Sequence, residues 1–416
     1  MKPRLALVHY TAPPVIGGVE AVLGEQARLF AAAGYPVTVV TGRGGQAGLP
    51  EGVPVRVIPE MDSAHAENLD LAAALLRGEV PPRYEPLCDR LGERLARALV
   101  DTDLAIVHNI LTMHFNLPLV AALHRLADQS PRPRLVAWSH DVSRYARPGS
   151  ELRTGFAWDY LRRQRPDITY VAVSAARQQQ LAEALGCLPG SIQHVPNGVD
   201  AAALFGWTAT VERLIDTHSL LTADVILLMP VRMTRAKNLE LGLRVTAALK
   251  ARGRRPRLLV TGPPDPHNPD IAAYVDELRG LRRWLDLATE AIFVSEAAPP
   301  LNQAEVGQLY GLADAVLFPS HREGFGIPVL EAGLLGRPVF ATAVPAVDEI
   351  GAELVELIAP DEPAEQVADR ILKCLEHDPA RRLRRRVRQT YPWSVIFERQ
   401  IEPLIQRALG VAESLS

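Results

Sequence analysis

Two carboxylates, Glu323 and Glu331, stand eight residues apart with Gly324-Phe325-Gly326 and Pro328 between them. The run before them, Ala315–Phe318, reads as a short buried strand ending at Pro319-Ser320, and Val329–Leu335 reads as a helix that Gly336 can end. Strand, glycine loop and helix together suit a ligand lying across the loop. Glycine N–H groups approach an anion or hydroxyl closely, the helix start favours negative charge, and carboxylates accept from hydroxyls. Dipole complementarity alone also places a carboxylate at a helix start. A carboxylate pair can hydrolyse a glycosidic bond, but the glycine loop argues instead for a phosphate-bearing ligand.

Other residue types add to this chemistry. Arg232 and Lys237 follow the apolar run Val225–Val231, where two fixed cations can neutralise charge developing on a departing diphosphate without a metal. Gly17-Gly18 lies between the first apolar run, Leu5–Val8, and a helical pattern, where backbone N–H groups can turn toward a phosphate. No G-x-G-x-x-G accompanies it, which argues against a dinucleotide-dependent dehydrogenase. His140-Asp141 follows Leu135–Trp138; the histidine can donate to a sugar hydroxyl or phosphate. His108-Asn109 ends the strand before it and is a weaker candidate for acceptor contact, with Thr112 and His114 nearby.

The elements that must position these residues alternate strand and helix from end to end, the pattern of parallel sheets. Leu5–Val8, Val37–Val40, Leu104–Val107, Leu135–Trp138, Thr169–Val173 and Ile192–Val195 form one series. A stretch from Ala201 to Ala223 carries no strand signal and reads as a connection. Val225–Val231, Arg257–Thr261, Ala291–Val294, Ala315–Phe318 and Val339–Ala341 form a second series. Loops from about Met61 to Leu91 and Arg144 to Arg165 show no decodable motif. The 416 residues suit two domains. With 45 Lys and Arg against 48 Asp and Glu, a net charge of −3 gives no basic field for nucleic acid. Three scattered cysteines show no metal-ligand spacing. No apolar run is long enough for a signal peptide or a spanning helix, so the expectation is a cytoplasmic protein with at most peripheral membrane contact.

The Glu-x7-Glu spacing of Glu323 and Glu331, with Gly17-Gly18-Val19-Glu20, Pro196-Asn197-Gly198-Val199-Asp200 and the Arg232/Lys237 pair, resembles the retaining GT-B glycosyltransferases of family 4 over nearly the whole chain. The resemblance implies two Rossmann-like doubly wound domains facing a cleft. It places an acceptor-side domain at 1–205, a nucleotide-sugar domain at 206–390, and a helix at 391–416 crossing back onto the first domain. It implies catalytic roles for His140, Arg232, Lys237 and Glu323, and donor contacts from Gly17, Gly18, Gly324, Phe325, Gly326 and Glu331. Glu331 would accept from the ribose hydroxyls, and Glu323 would sit by the donor sugar. No metal or cofactor is implied beyond a UDP- or GDP-linked donor. Asn238 stands where the family usually has glycine, and Val344–Glu349 lacks the glycines often found there. The implied function is transfer of a hexose to an acceptor hydroxyl, on a small soluble sugar or metabolite or a surface polysaccharide precursor. A sugar-nucleotide epimerase or hydrolase on this fold, or a non-catalytic nucleotide-sugar binder, is the alternative. Finally, the arginine run from Arg381 to Arg388 reads as a solvated helix resting on Leu383 and Val387, in preference to a membrane contact, and the arginines from Arg144 to Arg165 as solvent-facing.

Overall fold

The computed structural model describes residues 2–129, 133–143 and 153–410. They form two compact units: 1–198 together with the residues from Trp393 onward, and Val199–Pro392.

The first unit holds seven parallel strands: β1 (Leu5–Thr11), β2 (Val37–Arg43), β3 (Val55–Val57), β4 (Leu104–His108), β5 (Arg134–Ser139), β6 (Ile168–Ala172) and β7 (Gln193–His194). Their order in the sheet is β3-β2-β1-β4-β5-β6-β7. Every residue of β1 and β4 is buried, which is why their first four residues, Leu5–Val8 and 104–107, read as unbroken apolar runs rather than alternating ones. β1 pairs with β2 from Leu5↔Val37 and with β4 from Leu5↔Leu104, so the order reverses between β1 and β4.

Much of the loop expected near 61–91 is helix. Ala66–Arg77 and Tyr84–Ala98 turn Leu71, Leu75, Leu87, Leu91 and Leu95 into the core, at spacings that a helix places on one face. The residues from Trp393 to Ala408 are helical with a π turn at Phe397–Ile401. Phe397 meets Phe30 edge to face at 5.2 Å, and Glu402 accepts from the Tyr35 hydroxyl at 2.8 Å.

The second unit holds six parallel strands: β8 (Val225–Met229), β9 (Pro256–Val260), β10 (Ala291–Phe293), β11 (Ala315–Phe318), β12 (Val339–Thr342) and β13 (Glu356–Ile358). Their order is β10-β9-β8-β11-β12-β13, reversing between β8 and β11. The stretch after Ala201 contributes two helices to this unit, Ala201–Phe205 and Ala209–Thr217, the second capped by Thr208.

The arginine run corrects the solvated-helix reading. The helix Pro379–Thr390 exposes Leu383 at 62%, buries Arg388 and half-buries Arg384 instead. Arg388 donates to Asp314 Oδ2 at 2.9 Å and to the Ala223 carbonyl at 3.1 Å; Arg384 donates to Asp314 Oδ1 at 3.2 Å and to the Ala313 carbonyl at 2.9 Å. Burial lowers the affinity of both guanidiniums for their protons, Arg384 to about 10. Arg165 is likewise structural: it bonds Asp128, Asp167 and the carbonyls of His124 and Ala127. Arg144 lies outside the described residues. No helix among the described residues is long and apolar enough to cross a membrane.

Candidate active site

In open parallel sheets, ligands bind beyond the carboxyl ends of the strands where the order reverses. In the second unit that point lies between β8 and β11, and the loops following both strands carry the expected residues. The His321 N–H donates to the Ala236 carbonyl at 2.8 Å, tying the two loops together. Lys237 Nζ then donates to Glu323 Oε1 at 2.6 Å. The Glu323 side chain is 8% exposed and that of Lys237 22%, so the pair is shielded from bulk water yet reachable. Asn238 explains its own departure from glycine. Its φ of 48° lies in the left-handed region that asparagine tolerates best after glycine, and its side chain accepts from Leu241 N–H at 3.3 Å to cap the helix Leu239–Ala251.

Arg232 is exposed; Asp265 faces it at 3.9 Å. A Cβ at Gly262 would sit 2.3 Å from the Val231 carbonyl oxygen, so the loop after β9 presses on the backbone that carries Arg232. The helix after the glycine turn runs Ile327–Leu334, starting two residues earlier than its sequence suggests, because Gly326 at φ 94° turns the chain into it. Gly324 and Phe325 are exposed on this turn. Glu331 accepts from the Tyr310 hydroxyl at 2.7 Å, and burial together with the carboxylate raises the affinity of that phenol for its proton. Tyr310, on the helix Gln303–Leu312, escapes sequence reasoning because no motif joins it to Glu331.

In the first unit the reversal lies between β1 and β4. His9 on β1, His108 at the end of β4 and His140 after β5 form a row. His9 donates Nδ1–H to the His108 carbonyl at 2.9 Å, and His108 Nδ1 meets His140 Nε2 at 3.1 Å. Burial lowers all three imidazole pKa values; His140 falls to about 3, with His9 adding to the effect, and His108 lies well below the usual range. All three are therefore neutral at physiological pH.

His108 is 0% exposed, so an acceptor would meet it only through His140. Asn109 is also committed: its Oδ1 accepts from the backbone N–H of His140 at 2.7 Å and of Asp141 at 3.0 Å. The structure thus gives both residues to the loop that carries His140 rather than to an open surface. Gly17 precedes the helix Gly18–Ala32, and Glu20 folds back so closely that a Cβ at Gly17 would meet its carboxylate. Glu20 accepts from the Thr11 hydroxyl and lies 3.9 Å from His9 Nε2. Gly18 faces open space. His9 and Thr11 are the members that sequence reasoning missed, since they sit within an otherwise apolar strand; Glu20 was visible only as the last residue of the Gly17–Glu20 motif, without a role of its own. Among the described residues no three His, Cys, Asp or Glu side chains gather as a metal site requires.

Two Rossmann-like units, each presenting charged or imidazole side chains at its switch point, define the GT-B class of α/β protein. Residues 16–203 match the model of Glycosyltransferase Family 4, and residues 212–390 match that of Glycosyl transferases group 1. The chain belongs to this family of glycosyltransferases. It is similar to a D-inositol 3-phosphate glycosyltransferase of Kineococcus radiotolerans, 34% identical over 254 residues, which are 56% of this chain and 55% of that protein. A protein of the same name from Actinosynnema mirum is 35% identical over 178 residues, 42% of this chain and 40% of its own. The chain thus spans about half the length of the relatives it matches. Among solved structures, the sucrose-phosphate synthase of Thermosynechococcus elongatus is 18% identical with a TM-score of 0.40, covering 99% of this chain and all of that one.

Proposed function

We propose that the protein is a retaining, metal-independent glycosyltransferase that moves a hexose from a nucleotide-diphosphate sugar to an acceptor hydroxyl. The observation that carries this reading is the Lys237–Glu323 pair at 2.6 Å, with Arg232 on the same loop, at the switch point of the second sheet. A departing diphosphate gains negative charge as the sugar–phosphate bond breaks, and preorganised cations stabilise such charge best. Lys237 and Arg232 supply them. Glu323, already holding Lys237, lies where the sugar ring would carry its developing positive charge. Glu331, aimed by Tyr310, accepts from the ribose hydroxyls.

The acceptor oxygen attacks the anomeric carbon on the face from which the diphosphate leaves. Its proton passes to a leaving phosphate oxygen, so no protein base is consumed. His140, neutral and anchored by Asn109, contacts the donor sugar. The names of the relatives favour a small phosphate-bearing polyol as acceptor, and UDP or GDP is the expected nucleotide.

The test is thermal unfolding of the full chain with UDP, GDP or ADP, each with magnesium and with EDTA. One nucleotide at ~100 times its Kd should stabilise the protein by about 2.7 kcal/mol, equally in both buffers, and its hexose conjugate should support transfer to a polyol phosphate. A shift that requires magnesium overturns metal independence. No shift with any nucleotide, together with no transfer, overturns the whole reading.

A further inference from the structure

His108 has no contact with solvent, so it can touch no ligand, yet its ring is placed with care. Its Nδ1 lies 3.1 Å from His140 Nε2 while the ring centres are 5.4 Å apart. The difference, 2.3 Å, is twice the radius of an imidazole ring (about 1.15 Å), so both nitrogens lie on the line joining the ring centres. The rings are tilted by only 25°. This is an edge-to-edge N–H···N hydrogen bond of near-ideal alignment, and one proton lies in it.

Which ring supplies that proton follows from the far side of His108. Its Nε2 is buried with no partner among the described residues. A proton there would be an orphaned N–H in the core, whereas a proton on Nδ1 leaves only a bare lone pair. Buried orphan N–H groups are rarer than under-satisfied acceptors. We propose that His108 is a positioning residue that donates its Nδ1–H to His140 Nε2, leaving His140 with its proton on Nδ1. That nitrogen makes no bond among the described residues, so His140 presents a neutral N–H donor to a ligand oxygen. The backbone of the same loop is held by Asn109, so ring orientation, tautomer and loop position are each set by a separate group behind the site. The inference rests on the reading that His140 meets the donor sugar.

The first experiment is nitrogen NMR of the full chain with isotope-labelled histidine, the His140 signals being assigned by their loss in His140→Gln. The proton is expected on Nδ1 of both His140 and His108. A His140 proton on Nε2 overturns the proposal without any measurement of activity. The second compares two variants. His108→Phe keeps a ring and removes the donor; it should give a mixture of His140 tautomers and lower kcat on the order of 10-fold, with the donor KM changed by less than about 3-fold. His108→Asn places an amide N–H near the lost Nδ1 and should restore the tautomer and most of kcat. Equal losses in both variants would make His108 a packing residue only and overturn the proposal. If His140→Gln turns over normally while the tautomers stand as stated, the sugar-contact reading fails and the tautomer assignment survives.

Discussion

Replacing Lys237 by alanine is the sharpest perturbation available. At about 4 Å from a phosphate oxygen, in a half-shielded site of effective dielectric about 20, an ammonium contributes about 4 kcal/mol of attraction. Only the part that grows as the diphosphate departs appears in kcat. Loss of one preorganised partner typically costs ~10²–10³-fold in rate, so Lys237→Ala should lower kcat by at least ~10²-fold. The same change strands Glu323, whose side chain is 8% exposed and bonded to Lys237 at 2.6 Å. An unpaired buried acceptor costs about 1–3 kcal/mol of stability, which the double variant Lys237→Ala/Glu323→Gln should largely recover. The assay pairs nucleotide release under saturating donor with urea unfolding of the same preparations. Stability should return in the double variant while kcat stays low. A Lys237→Ala enzyme whose kcat/KM lies within about 3-fold of the parent would refute the assignment of Lys237 to the leaving group.

Two further outcomes are expected. Tyr310→Phe removes the 2.7 Å bond that aims Glu331, and because hydrogen bonds to charged groups contribute about 1.5–3 kcal/mol, nucleotide affinity measured by calorimetry should fall roughly 10-fold or more, with kcat lowered less. Acid should destabilise the first unit before its carboxylates titrate. His140 titrates at about 3 in the folded chain, far below an unfolded histidine, so the unfolded state binds more protons between these values. Stability is therefore fully present above about pH 6.5 and falls on acidification. The slope is about 1.4 kcal/mol per pH unit for each histidine held neutral. Urea midpoints at several pH values between neutral and mildly acidic should show this slope, reduced by one proton in His140→Gln; an unchanged slope would count against burial of this imidazole.

The central strands were legible because parallel strands covered on both faces need apolar residues at every position, as in Leu5-Ala6-Leu7-Val8 and Val225–Leu228. The short edge strand Glu356–Ile358 left no such trace, since its first residue is exposed. The helix Tyr84–Ala98 was readable in principle from Leu87, Leu91 and Leu95, but the prolines before it and its many charges obscured the periodicity. At the candidate site, Glu323 and Glu331 stand out in the sequence because they flank a glycine turn after a strand, and Lys237 because it follows a strand end together with Arg232. Tyr310 does not, nor do the contacts of Glu20: each acts through a neighbouring helix or a fold-back, which chain spacing cannot encode. His108 was visible as a residue and opaque as to its role, because burial behind His140 is a property of the sheet. The arginine run misled for a related reason. Its charges satisfy Asp314 and backbone carbonyls of a turn far away in the chain.

The discontinuity of the first unit bears on how the protein emerges from a ribosome. Residues 199–392 form one uninterrupted stretch with its own sheet and core, so this unit can close as soon as its last strand and the Asp314-binding arginines have been made. The first unit, although begun earlier, waits. Phe397, Ile401, Leu404 and Ile405, all buried, arrive only after the entire second unit has been synthesised, and until then the face around Phe30 and Tyr35 lacks its cover. The half of the molecule translated first is thus the half completed last, and its unfinished apolar face is the one a chaperone would have to shield during synthesis.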